Sequence, residues 1–105
     1  MANVSEISGK EFDKFVKEGN VLVDFFADWC MPCIMMSPVI DELSEKFKGK
    51  VNFGKINVDD NQNIAEKFNV SSIPNFVLFK DGKRVEQFIG AMSAEDFEKK
   101  LKKFV

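Results

Sequence analysis

The stretch that most constrains this chain is Val21-Leu22-Val23-Asp24-Phe25-Phe26 followed closely by Trp29-Cys30-Met31-Pro32-Cys33. A short, nearly continuous apolar run reads as a buried strand, and the apolar residues after Cys33 recur at helical spacing, so the turn is a strand-to-helix junction. It holds the only two cysteines and the only tryptophan of 105 residues. Residues three apart on one helix face stand about 5–6 Å apart, within the Cα separation a disulfide accepts. Cys30 and Cys33 can therefore pair with little backbone movement. Cys30 sits where unpaired N–H groups and the positive end of the helix dipole favour a thiolate, so the spacing predicts Cys30 as the nucleophile. Pro32 suits the first helical turn and stiffens the span between the sulfurs. Trp29 and Met31 flank Cys30 with apolar surface on which another protein can dock.

Two blander readings compete with redox chemistry. A structural disulfide closing four residues would remove only about 2 kcal/mol of unfolded-state entropy, a poor staple for a domain of this size. Half of a metal site is the other reading, but zinc and iron–sulfur sites want four ligands, against two cysteines and no histidine here. A Cys-x-x-Cys pair beside a strand-helix-strand pattern favours thiol–disulfide exchange.

A chain of 105 residues, 45% hydrophobic and 30% charged, makes one domain with an ordinary core. Fifteen basic and seventeen acidic residues leave a formal net charge of −2, which supplies no electrostatic reason to expect nucleic acid or an anionic membrane as a partner. The opening Met1-Ala2-Asn3-Val4-Ser5-Glu6 lacks a basic region followed by an apolar run, and no stretch approaches the length of a membrane span. The expectation is a cytoplasmic protein, where accessible thiols stay reduced and a cysteine pair is more often catalytic than structural.

In chain order, Val4 to Ile7 reads as an edge strand, and Ser8 and Glu11 have the spacing of a capping box opening a helix with Phe12, Phe15 and Val16 inward. Gly19 and Asn20 end it before the strand at 21–26. Asp24 interrupts that strand, and either it points to a solvent edge or it is buried with a raised pKa. The helix after Cys33 is expected to turn Met35, Val39, Ile40, Leu43 and Phe47 inward, with Pro38 kinking it and Gly49 beyond its end. A third strand at 51–58 carries Lys55, which reaches Asp24 if the two strands are neighbours. A short helix with Ile64, Ala65 and Phe68 follows. Two strand-helix-strand crossovers imply parallel strands with helices on both faces. Pro74 precedes a strand at 75–80, with base rates favouring a trans bond. Asp81-Gly82 signals a tight turn to an antiparallel strand at 84–89. Ser93 opens a last helix with Phe97, Leu101 and Phe104 inward, and its lysines at 99, 100, 102 and 103 suit a helix C-terminus.

The order βαβαβαββα with Trp-Cys-x-Pro-Cys after the central strand resembles the thioredoxin family over essentially the whole chain. The residues that carry the likeness are Val23 to Cys33, Pro38, Lys55, Ile73-Pro74, Phe79 to Gly82 and Gly90-Ala91. The resemblance implies an α/β fold with a central mixed five-stranded sheet flanked by four helices, one domain spanning 1–105. It implies that Cys30 attacks a target disulfide, that Cys33 resolves the mixed disulfide, and that Asp24 is a buried carboxylate assisting proton transfer with Lys55 nearby. It further implies that Pro74 is cis and packs against the sulfurs. The Ile73-Pro74 loop, with Trp29, Met31, Pro32 and Gly90, Ala91 and Met92, would form the surface that receives an extended polypeptide. The expected activity is that of a protein-disulfide reductase recharged by a thioredoxin reductase, monomeric, with no tightly bound cofactor.

Three residues depart from the family's usual pattern. Met31 stands where glycine is most usual, Ile34 where lysine is common, and Phe26 where a second tryptophan is common. The first two bear on the redox potential and on the charge beside the sulfurs. An oxidase or isomerase of the same fold, a glutathione-dependent relative and a non-catalytic binding module are the alternatives.

Overall fold

In a computed structural model, residues 4–105 are described; Met1-Ala2-Asn3, on which the reading of a leaderless start partly rests, lie outside the described residues. The elements run β1 (Ser5–Glu6), α1 (Phe12–Val16), β2 (Asn20–Phe26), α2 (Met31–Lys46), β3 (Asn52–Asn57), α3 (Gln62–Lys67), β4 (Asn75–Lys80), β5 (Lys83–Ile89) and α4 (Ala94–Lys102). The sheet order is β1-β3-β2-β4-β5. β1, β3 and β2 are parallel, and β2/β4 and β4/β5 are antiparallel.

β2 is the middle strand and is buried on both faces, which is why its sequence is apolar almost without alternation. Its side chains nevertheless divide with period two. Val21, Val23 and Phe25 meet Phe12 and Val16 of α1 and Ile64 and Ala65 of α3, while Leu22 joins Ile40 and Leu43 of α2 and Phe97 and Leu101 of α4. By the same alternation Asp24 lies on the Leu22 face, beneath α2.

Local signals decide where elements start and stop. The capping box forms as the spacing requires: the Ser8 N–H donates to Glu11 Oε1 at 2.8 Å and the Glu11 N–H donates to Ser8 Oγ at 3.3 Å. At the β4–β5 hairpin, Asp81 and Gly82 both have positive φ, 50° and 86°, as a two-residue turn that follows the strands' twist demands. Asp81 Oδ1 also accepts the Gly19 N–H at 2.8 Å, tying that turn to the loop before β2. Ser93 caps α4 by accepting the Asp96 N–H at 3.1 Å.

Two inward assignments are corrected. Met35 is 71% exposed and Met36 is buried instead. Cys33 sets the phase of the inner stripe, which then steps through Met36, Ile40 and Leu43, and Met35 falls about 100° round the helix from Met36. Phe104 lies beyond the last residue of α4 and is exposed, with its ring against Phe88 at a centroid distance of 6.2 Å.

Phe97 joins the two layers of the α2/α4 face, with ring centroids 4.9 Å from Phe76 and 5.3 Å from Phe88, and is fully buried. Phe97→Ala is expected to cost about 3–5 kcal/mol, read as a lowered midpoint in denaturant at unchanged slope.

Candidate active site

The last residues of β2 deliver the chain to the reactive turn, and the first turn of α2 fixes it. Cys30 is the N-cap residue of α2, with extended backbone (φ −88°, ψ 102°), and Pro32 sits in the first helical turn, where no intrahelical N–H is required. The Cys33 N–H donates to Cys30 Sγ at 3.2 Å. One of the orphan donors of the helix start is thereby spent on the sulfur of Cys30, the contact that stabilises negative charge there. The two cysteines are joined as a disulfide with a Cα–Cα distance of 5.2 Å. Both are buried and pack with Ala27, against which Phe26, Val58 and Ile73 close.

The buried alternative for Asp24 holds. It is 7% exposed, and its Oδ1 has no hydrogen-bond partner among the described residues. β2 and β3 are neighbours with Asp24 paired in register to Lys55, and the Lys55 ammonium stands over the Phe26 ring at 5.4 Å from its centroid. A crevice of about 240 Å³ is lined by Asp24, Cys33 and Lys55, with Asp28, Ile34 and Ser37 among its other walls. The carboxyl and the second sulfur thus share one small opening to solvent. Burial pushes the Asp24 carboxyl up to about 7, and the Lys55 charge partly opposes that rise.

The remaining residues expected at the site fall in two groups, one on the loops of Ile73-Pro74 and Gly90-Ala91-Met92 and one at the start of α2. The Ile73–Pro74 bond is cis, as the family resemblance implied and against base rates; Pro74 is buried and Ile73 half-buried against the cysteine pair. The Gly90 N–H donates to the Pro74 carbonyl at 2.9 Å, which holds the loop Gly90-Ala91-Met92 beside the proline. Gly90 has φ +94°, a conformation that L side chains rarely adopt. Trp29, Met31 and Ile34 stand out from the surface, 71%, 63% and 51% exposed.

One partner at the site was not singled out from the sequence. Asp59, just past β3, accepts a hydrogen bond from the Trp29 indole Nε1–H at 2.8 Å and so fixes an otherwise exposed ring. Nothing local marks it, since Asp59 lies thirty residues from Trp29; it becomes legible only once β2 and β3 are paired. Its backbone N–H donates to the buried Asn57 Oδ1 at 2.9 Å, which holds the turn in place. Among the described residues, no group of three or more histidine, cysteine, aspartate or glutamate side chains is placed to hold a metal ion.

The raised carboxyl has a signed consequence for stability. From the ordinary aspartate value of 3.8 up to about 7, the folded state keeps a proton that the unfolded chain has released. Asp24 therefore costs progressively more stability as pH rises through that window and a constant amount above it. Asp24→Asn is expected to match the parent near pH 4, to gain with rising pH, and to be more stable by something on the order of 4 kcal/mol above pH 7. Denaturation midpoints of the two oxidised proteins from pH 4 to 9 check this, and equal midpoints throughout would exclude a raised carboxyl.

Comparison with known proteins bears on the same residues. The family model for thioredoxin matches residues 3–103. Thioredoxin of Chlamydia pneumoniae is 47% identical over 92 residues, covering 88% of this chain and 89% of that protein. Thioredoxin of a Synechocystis species is 43% identical over 102 residues, covering 97% and 94%. The solved structure of a point-mutant thioredoxin from Halobacterium salinarum superposes with a TM-score of 0.85 at 33% identity, covering 96% of this chain and 88% of that one. With the match running through nearly every residue and the cysteine pair closed at the start of α2, the chain belongs to the thioredoxin family and is a thiol–disulfide oxidoreductase.

Proposed function

We propose that this chain is a general protein-disulfide reductase in which Cys30 is the attacking thiolate, Cys33 the resolving thiol, and Asp24 the group that accepts the Cys33 proton, with Lys55 tuning it. The observation that carries the reading is the Cys33 N–H directed at Cys30 Sγ at the N-cap of a 16-residue helix. It gives the first sulfur, and not the second, the environment of a stabilised anion.

The cycle is two exchanges. Cys30 thiolate attacks one sulfur of a target disulfide; the Cys30–target bond forms, the target S–S bond breaks, and one target thiolate leaves. Asp24 takes the proton from Cys33, whose thiolate then attacks Cys30 Sγ. The Cys30–Cys33 disulfide forms and the second target thiolate leaves, so two electrons have passed to the target. A carboxyl that titrates near 7 is matched to that proton transfer at neutral pH. The crevice it shares with Cys33 supplies the route.

The electron donor that restores the dithiol is, on this reading, a thioredoxin reductase, and no tightly bound cofactor is needed because the cysteines themselves carry the electrons. Targets are polypeptides received by Trp29, Met31 and Pro32 on one side of the disulfide and by Ile73, Pro74, Gly90, Ala91 and Met92 on the other. Residues 1–105 act as one catalytic domain, monomeric, in the cytoplasm; no helix among the described residues is long and apolar enough to cross a membrane.

Cys33→Ser is expected to accumulate covalent adducts with targets that dissolve in dithiothreitol, whereas Cys30→Ser abolishes insulin reduction and forms none. Recovery of adducts from Cys30→Ser instead would reverse the two roles. Asp24→Asn is expected to slow resolution of those adducts at pH 7 while leaving the first attack close to its parent rate.

The assignment as reductase is tested by the reduction potential, read in thiol buffers through the fluorescence of Trp29. A value at the reducing end of the range for this fold supports it and assigns Met31 and Ile34 a modest influence. A markedly more oxidising value would make the chain an oxidase or isomerase.

A further inference from the structure

Four of the five methionines gather beside the reactive turn, on the flank of α2 away from the Asp24 crevice. Met31, Met35, Met36 and Val39 form one wall of an open groove of about 560 Å³, and Ala91 and Met92 form the other, with Pro32 at its head. No lining residue is charged. The Met92 N–H donates to Met36 Sδ at 3.5 Å, so the floor of the groove ties α2 to the loop before α4. The outer methionines, Met31 and Met35, are mostly exposed and free to adjust. Thioether side chains with three rotatable bonds on a fixed floor make a surface that moulds to apolar groups of different shape.

What covers this groove follows from where it begins. Pro32, at the head of the groove, lies between the two cysteines in sequence, so the groove begins within two residues of each of them. On the reading that Cys30 attacks a polypeptide disulfide, on which this inference rests, the target chain must pass beside its head. From Met31 to Val39 the helix rises about 12 Å, and an extended chain advances about 3.3 Å per residue. Side chains two to four positions from the target's cysteine therefore reach it. A charged side chain entering would lose water with no partner in return. A large apolar one would bury its own surface together with that of Met31 and Met35.

We propose that this methionine groove is a side-chain subsite that selects, among polypeptide disulfides, those with a large apolar residue two to four positions from the attacked cysteine. Met31, which replaces the usual glycine, thereby acts in target choice as well as beside the sulfurs.

The test uses two synthetic peptide disulfides that differ only in carrying phenylalanine or serine three residues before and three residues after the cysteine. Each is mixed with the fully reduced protein, and the second-order rate of oxidation is followed through Trp29 fluorescence. The phenylalanine peptide is expected to react about tenfold faster. Met35→Glu is expected to bring the ratio of the two rates close to one, and Met35→Leu to keep it. Reading a ratio within one protein cancels any general effect of a substitution on the sulfur chemistry, and exposed Met35 can be changed without disturbing the core. Equal rates for the two peptides with the parent protein, or a preference that survives Met35→Glu, would overturn the subsite while leaving the Cys30 reading intact. Failure of the reduced protein to react with either peptide would overturn the Cys30 reading and the subsite with it.

Discussion

The burial of β2 on both faces is the constraint on which the rest of the molecule depends. A strand enclosed on two sides must have hydrogen-bonding neighbours at both edges and helices above and below, and β3, β4, α1, α2, α3 and α4 supply them. The strand ends at Phe26 and its chain turns into α2 within five residues, so the reactive turn is anchored to the best-held part of the sheet. Trp29, Cys30 and Cys33 inherit that rigidity, which a loop between mobile elements would not provide.

Two electrostatic effects of opposite sign then act a few residues apart. At Cys30 the start of a helix favours negative charge through an N–H aimed at the sulfur. At Asp24 the surrounding apolar side chains disfavour it, and the Lys55 charge only partly compensates. A sulfur that faces a helix N–H and a carboxyl disposed to hold its proton thus stand within one turn of chain of the same strand end. The arrangement requires the strand alternation that puts Asp24 under α2, since one residue of slip would turn it to the α1/α3 side.

The two flanks of α2 next to the disulfide differ in chemistry. One opens on the crevice lined by Asp24, Asp28, Ser37 and Lys55, the route we propose for the Cys33 proton. The other is the methionine groove, which offers apolar contact alone. Met31 and Ile34, two of the three departures from the family's usual residues, stand exposed at the edges of these two surfaces. They alter what surrounds the reaction without changing the atoms that react.

Much of this was legible in the sequence because it rests on short-range rules. The junction of strand and helix, the capping box at Ser8 and Glu11, the Asp81-Gly82 turn and the order of elements depend on spacing within a few residues, where period and capping chemistry act directly. The spacing of Cys30 and Cys33 likewise determined that they could pair. Tertiary structure alone decided between a solvent-edge and a buried Asp24, because burial depends on which elements cover a strand. It chose the cis bond at Pro74, and it joined Trp29 to Asp59 across thirty residues by pairing β2 with β3. It also turned Met36 inward in place of Met35, since the phase of a helix is set by the side chain that first reaches the core, here Cys33, and periodicity alone leaves that phase open by one residue.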